Sequence, residues 1–332
     1  MTGTRALLTR SDLAPLARAA LGPARTLTAV TRLRGGSKKG VYRLAFDDAT
    51  TAIAYVWSPD EDYWDKSDAA DPRDPFSHSS GLDLFTASYD RLSALGVRTP
   101  RLHLADADRA FLPADAAVVE DIPGDSLEEV LRRDPQAAAP TLARLAETLE
   151  AMRACQGPGG GFGKVALVDN GGVTRGGSCE RRVTDGALRD IAEIAVRDPR
   201  AGAAREAFED AVHTLAGDIA PRSRHTLVHG ELGPDHVLVT SDGEPALIDI
   251  EGLMYFDAEW EHVFLALRFG PHYDALRTPG LDEHRLRLYR LAMHLSLVAG
   301  PLRLLDGDFP EPGPMREIAE SNLGQALRLV GA

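Results

Sequence analysis

The apolar residues of this chain change their period once, near residues 120–125, and that change limits what the chain can fold into. Before it, apolar and polar residues run in short blocks bounded by turn formers: TLTAVTRL at 26–33, VYRLAF at 41–46 and TAIAYVW at 51–57. Successive strand side chains point to opposite faces, so these blocks predict an antiparallel meander. Its first turn, RGGSKKG at 34–40, is glycine-rich, and Asp47-Asp48 supplies the second. Residues 58–81 are polar and proline-broken, hence a loop. Leu82, Phe85, Tyr89, Leu92 and Leu95 then define one face of a helix that Gly96 stops. Phe111-Leu112 and Ala116–Val119 predict two more strands before the break Ile122-Pro123-Gly124.

Beyond the break the period is helical. Ser126, followed by Glu128 and Glu129, is a helix start. Leu142, Leu145, Leu149 and Met152 form a stripe that QGPGGGFG ends, and Phe208, Val212, Leu215 and Ile219 form another. One interruption stands out: HVLV at 236–239 and ALIDI at 246–250 flank Ser241-Asp242-Gly243 and predict a hairpin. It follows His229-Gly230-Glu231 directly, so a polar, glycine-marked loop is delivered into a rigid element, where chemistry tends to reside. At 332 residues the chain is long enough for two lobes with separate cores.

Charge and rare residues narrow the function. A net charge of −13 argues against a nucleic-acid partner and suits a cationic acceptor. Only Lys38, Lys39, Lys66 and Lys164 are lysines, so any task that needs one has few candidates. Cys155 and Cys179, alone, fit a reducing compartment and offer neither a disulfide framework nor a metal-ligand cluster. The first residues, MTGTRALLTRSDLAPLARAALG, are amphipathic and broken by Thr9–Asp12 before an apolar core develops. No apolar stretch approaches the roughly 20 residues a bilayer span needs. The expectation is a cytoplasmic protein with no membrane partner.

LVHGELGPDHVLV at 227–239, with LIDIEG at 247–252, resembles the His-Gly-Asp-x-x-x-x-Asn and Ile-Asp segments of the aminoglycoside phosphotransferase and choline kinase-like superfamily, relatives of protein kinases. The resemblance covers nearly the whole chain. It includes the glycine loop, a hinge reading VVEDIPG, and Phe256-Asp257-Ala258-Glu259-Trp260-Glu261 where the family often has Gly-Asp-Pro-x-x-Asp. It implies an α+β, bilobal protein kinase-like fold. A small antiparallel-sheet N-lobe would span 1–120 and a larger, mainly helical C-lobe 121–332, with the hinge at about 118–125. It also implies ATP and Mg²⁺ as cofactors and a hydroxylated acceptor.

Phosphoryl transfer needs positioning and charge neutralisation more than covalent help. On the resemblance, Glu231 orients the acceptor hydroxyl and accepts its proton, and Asp249 holds Mg²⁺. His229 and His236 complete the catalytic-loop candidates, His229 as a brace; His236 and Glu251 join Asp249 as metal-ligand candidates, and Tyr55 is a nucleotide-site candidate. Gly36, Ser37, Lys38 and Lys39 of the glycine turn, with Lys66 beyond it, are the phosphate-binding candidates. Glu120 and Ile122 would offer backbone groups to adenine, with Val119 lining the pocket. Trp260 is read as an aromatic anchor and Glu261 as an acid bonded back to the loop.

Three departures stand against the family pattern. Glu231 replaces an aspartate, and His236 stands where asparagine is usual. Imidazole is a poor substitute for an oxygen ligand on Mg²⁺, so Asp235 or Glu251 supplies that oxygen or one metal site is lost. Tyr55 occupies about the place of the strand lysine, and Asp83 and Asp90 are off the position of its partner acid. Three readings therefore stay open: a kinase for a small hydroxylated molecule, a Ser/Thr kinase for a precursor peptide, and a pseudokinase that binds nucleotide or a partner without turnover.

Overall fold

A computed structural model of the chain describes residues 5, 7–64 and 71–332, so Lys66 lies outside the described residues. In chain order the first elements are α1 (Arg10–Leu21), β1 (Leu27–Arg32), β2 (Gly40–Phe46), β3 (Thr51–Trp57), α2 (Leu82–Ala94), β4 (Leu102–Asp106) and β5 (Asp115–Glu120). Next come α3 (Leu127–Arg133), α4 (Pro135–Ala154), β6 (Gly163–Lys164), α5 (Val165–Val168), α6 (Cys179–Arg197), α7 (Pro199–Ala203), α8 (Arg205–Gly217) and β7 (Thr226–Val228). The chain closes with β8 (Val237–Val239), β9 (Pro245–Leu247), β10 (Met254–Phe256), α9 (Ala258–Phe269), α10 (Glu283–Leu305) and α11 (Pro312–Val330). The change of period is thus a change of structure: β5 ends at Glu120 and helix follows from Leu127.

The chain divides into two units. The first comprises Met1–Trp64, His78–Leu145 and Pro234–Gly252, so the expected hinge lies inside it. Its sheet has five antiparallel strands in the order β1-β2-β3-β5-β4. Tyr42, Leu44 and Phe46 of β2, Ala52, Ala54 and Val56 of β3, and Ala116 and Val118 of β5 pack with Leu13, Leu16 and Ala17 of α1. The opposite phase of the strands, Ile53, Tyr55, Ala117 and Val119, is buried too. There Tyr55 meets Phe85 of α2 edge-on, ring centroids 5.6 Å apart. With both faces covered, the strands read as nearly continuous apolar runs.

One expected strand is not there. Phe111-Leu112 lies in the β4–β5 connection, and the strand is Leu102–Asp106 instead. The cause is local: the Asp106 carboxylate accepts the amides of Ala110 and Phe111 at 2.9 and 3.1 Å. Those bonds bend the backbone into a loop while Leu112 still fills the core. The predicted hairpin does form, β8 pairing with β9 from Val237↔Leu247 to Val239↔Pro245.

The second unit comprises Asp65–Ser77, Ala146–Gly233 and Leu253–Ala332. Val183, Ile191, Phe208, Val212, Phe264 and Leu288, from α6, α8, α9 and α10, share one core. A small sheet, β6-β10-β7, runs through this unit and leads directly into His229. Buried charges are paired, as they must be in an apolar interior. Arg285 lies 2.8 Å from Asp257, and Arg222 makes two bonds to Glu259 at 2.6 and 2.8 Å. No helix among the described residues is long and apolar enough to cross a membrane.

Candidate active site

In the first unit the glycine turn approaches its own chain too closely for side chains. A Cβ on Gly36 would stand 2.7 Å from the Lys39 carbonyl oxygen, and one on Gly40 would stand 2.6 Å from the Glu61 carboxyl carbon. The turn is also tied to the segment after β3. The Ser37 carbonyl accepts the Tyr63 amide at 2.9 Å, Ser37 Oγ accepts Trp64 Nε1–H at 3.1 Å, and Ser80 Oγ donates to the Lys38 carbonyl at 2.8 Å. Glu61, buried, binds Arg32 at 2.7 Å and accepts the Tyr42 hydroxyl.

Of the two turn lysines, Lys39 points inward. Its ammonium is 2.7 Å from Asp249 Oδ1 and 2.5 Å from Glu251 Oε1, and 5.1 Å from the centre of the Tyr55 ring. Burial works against that charge, but Asp249 and Glu251 overcome it and hold the Lys39 pKa well above the ordinary lysine value. Burial also raises the Tyr55 phenol to about 12, so it stays neutral beside the ammonium. Lys39, the residue before β2, thus stands beside Tyr55 of β3 with its charge among two acids. Glu251, its buried partner, belongs to the segment after β9. Sequence reading missed this pairing, although one signal for it exists. Carrying the alternation of VYRLAF back by two residues puts Lys39, not Lys38, on the face of Tyr55.

Asp249 holds a left-handed backbone conformation, φ 58°, rare for a residue with a side chain. Such a conformation costs about 1–3 kcal/mol and persists where surrounding contacts over-determine it. Here Lys39 and the hairpin do so. Desolvation by the surrounding chain works to raise the Asp249 pKa although its side chain keeps 41% of its exposure, but Lys39, then His236 and Lys38, hold it well below the carboxylate range. Its second oxygen, Oδ2, lies 3.8 Å from His236 Nε2, and that nitrogen lies 3.7 Å from Asp235 Oδ2. Glu251 Oε2 is buried with no hydrogen-bond partner among the described residues. An exposed aspartate and a glutamate with an orphaned oxygen, both already gathered around a cation, fit the oxygen-ligand preference of Mg²⁺. His236 adds only a nitrogen.

The hinge candidates are also in this unit. The Glu120 carboxylate accepts Arg98 at 2.7 and 2.8 Å, and its amide donates to the Arg101 carbonyl. Val119 is buried on the Tyr55 side of the sheet. An open cavity of about 480 Å³ lies beside the hinge, between Arg98, Glu120, Ile122 and Pro123 and the hairpin turn at Thr240–Asp242.

The second unit holds His229, Gly230 and Glu231. His229 is fully buried and Glu231 is exposed, so the loop keeps its ring inside and its carboxylate outside. Glu261 of α9 accepts the Gly230 amide at 2.8 Å. Burial lifts its pKa to about 7, against the lowering effect of the Gly230 and His229 amides. Trp260 stands among Phe76, Phe256 and Tyr289, ring centroids 4.9–6.0 Å away. Behind the loop a cavity of about 150 Å³ is lined by Met152, Val228, Glu261 and His262. Burial depresses the His262 pKa to about 4, so this ring is neutral.

Comparison with known proteins follows from this geometry. The model of the phosphotransferase enzyme family matches residues 41–294. Among solved structures, aminoglycoside phosphotransferase APH(4)-Ia superposes with a TM-score of 0.64 at 16% identity, covering 97% of this chain and 98% of its own. Spectinomycin phosphotransferase APH(9)-Ia, solved with ADP and spectinomycin, gives 0.62 at 12% identity, covering 98% of each chain. Choline kinase LicA from Streptococcus pneumoniae gives 0.60 at 13% identity, over 96% and 98%. No curated protein sequence matches the chain. The fold is the kinase-like α+β fold: a five-stranded antiparallel sheet with a mainly helical remainder.

Proposed function

This chain belongs to the phosphotransferase enzyme family, and on that premise we propose that it moves the γ-phosphate of ATP to a hydroxyl of a small cationic molecule. The observation that carries this reading is the Lys39 ammonium held between Asp249 and Glu251. A fixed cation flanked by two carboxylates is what nucleotide phosphates and their metal require. Asp249 and Glu251 would hold Mg²⁺, which when bound neutralises phosphate charge. Lys39 turns from its carboxylates to the phosphate oxygens. The glycine turn, tied down through Ser37, lays backbone over the same phosphates, and the hinge takes the adenine at Glu120 and Ile122.

Glu231 does the proton work. Its exposed carboxylate orients the acceptor hydroxyl and takes the proton as oxygen bonds to phosphorus and ADP leaves. The longer side chain sets the acceptor about 1 Å further from the loop than an aspartate would. His229, buried, keeps the loop in place. A cationic acceptor agrees with the net charge of −13, and the solved neighbours are named for aminoglycosides, spectinomycin and choline.

The test is a paired measurement on Glu231→Gln, with pooled hydroxylated amines as acceptors. ATP affinity should be unchanged while turnover falls roughly 10²-fold, the scale of general-base catalysis. Glu231→Asp should lose less. Equal turnover in wild type and Glu231→Gln would remove the role.

A further inference from the structure

The helical unit buries a cysteine, a histidine and an aspartate together, and the proposed transfer uses none of them. Cys179 Sγ, a ring nitrogen of His225 and a carboxylate oxygen of Asp257 all lie within 4.8 Å of one another. Their residues are 1%, 4% and 1% exposed. Three separate elements deliver them: Cys179 opens α6, His225 directly precedes β7, and Asp257 is the N-cap of α9.

His225 defines what the cluster lacks. Its Nδ1 lies 2.9 Å from the Gly160 carbonyl oxygen. A carbonyl only accepts, so Nδ1 carries a proton and Nε2 is the nitrogen left to act as a ligand. Among the described residues that Nε2 is buried with no hydrogen-bond partner, and so is Asp257 Oδ1. One thiol proton from Cys179 satisfies at most one of these two acceptors. A metal cation satisfies both and the sulfur as well.

The surroundings hold the three groups as outer partners hold metal ligands. A backbone carbonyl on the far nitrogen fixes the histidine tautomer, as it does for ligating histidines. Asp257 is oriented through Oδ2, which accepts Arg285 Nη1–H at 2.8 Å and the Tyr289 hydroxyl at 2.5 Å. Arg222 Nη1, at 3.7 Å, is too far from Oδ1 to hydrogen-bond it. Cys179 lies in the first turn of a 19-residue helix, and the Asp257 amide bonds its sulfur. Both features work toward a thiolate. Without a metal, burial and the Asp257 carboxylate nevertheless hold the thiol well above its ordinary pKa, so a cation binds here by displacing the thiol proton. Mixed sulfur, nitrogen and oxygen donors select zinc over harder cations. Zinc bonds of about 2.0–2.3 Å set tetrahedral ligands roughly 3.3–3.8 Å apart, so about 1 Å of side-chain movement closes the site.

We propose that Cys179, His225 and Asp257 bind a zinc ion, with water as fourth ligand, in a structural site that joins α6 and α9 to the strand leading into the catalytic loop. The full chain, purified without a metal-binding tag, is assayed for zinc by plasma mass spectrometry. It is then loaded with Co²⁺ and scanned for the thiolate-to-cobalt charge-transfer band. Wild type and Cys155→Ser should carry stoichiometric zinc and show the band; Cys179→Ser should lose both. A chelator should lower the Tm of wild type and leave that of Cys179→Ser unchanged. Should Cys179→Ser fail to fold, wild type and Cys155→Ser decide the matter. Absence of both zinc and the cobalt band in wild type overturns the proposal, as does a folded Cys179→Ser that keeps them.

Discussion

Lys39 neutralises two carboxylates at once, and Glu251, one of them, is buried with it. Removing one partner of a buried ion pair strands the other, at a cost of about 3–5 kcal/mol. Lys39→Met should therefore lower stability by about 3 kcal/mol in urea denaturation, and Lys38→Met, outside that buried pair, by clearly less. Equal effects would show that Lys39 is an ordinary surface lysine. Glu261 gives a pH signature. Its pKa is raised from 4.5 to about 7 by burial, so between those values the unfolded carboxyl ionises while the folded one keeps its proton. The unfolded state then binds fewer protons and stability falls as pH rises through this window, by roughly 3 kcal/mol in all. Glu261→Gln keeps an acceptor for the Gly230 amide and removes the titration. Its urea midpoint should change less than that of wild type from pH 5 to 7.5; matching pH responses would contradict the assignment.

The glycine turn is an element only because its neighbours leave no room for side chains. Gly40→Ala places a methyl group against the Glu61 carboxylate, which must then leave Arg32 and Tyr42. Overpacking of this kind costs about 1–3 kcal/mol, measurable as a lower urea midpoint. A midpoint unchanged from wild type would mean that Glu61 does not anchor the turn. Helix α3 makes a smaller test. Ser126 Oγ accepts the Glu129 amide at 3.3 Å, and Glu129 accepts the Ser126 amide at 2.8 Å. Ser126→Ala should cost about 1 kcal/mol. Elements of this kind were legible in the sequence because their causes are local: alternation for β2 and β3, a serine and two acids for α3, Ser-Asp-Gly for the β8–β9 turn. Phe111-Leu112 was misread because Asp106, outside the apolar run, dictates the backbone there.

At the scale of the molecule, what the sequence did not disclose is what distance in sequence conceals. Lys39 and Glu251 are 212 residues apart, and no local pattern announces their pairing. Loop motifs pointed to Glu231 and Asp249, whereas the contact of Lys39 with Asp249 and Glu251 joins the glycine turn to the segment after β9, which no spacing rule links. Cysteine count alone likewise hid the cluster at Cys179, whose companions His225 and Asp257 come from elsewhere in the chain. The account rests centrally on Lys39 acting where a β3 lysine would, and Tyr55, whose ring centre is 5.1 Å from that ammonium, makes the claim testable. Calorimetry of Mg²⁺-ATP binding to wild type, Lys39→Met and Lys39→Met/Tyr55→Lys decides it. Affinity should fall at least tenfold in the single variant and recover in part when lysine is restored from β3. Wild-type affinity in Lys39→Met would contradict the account.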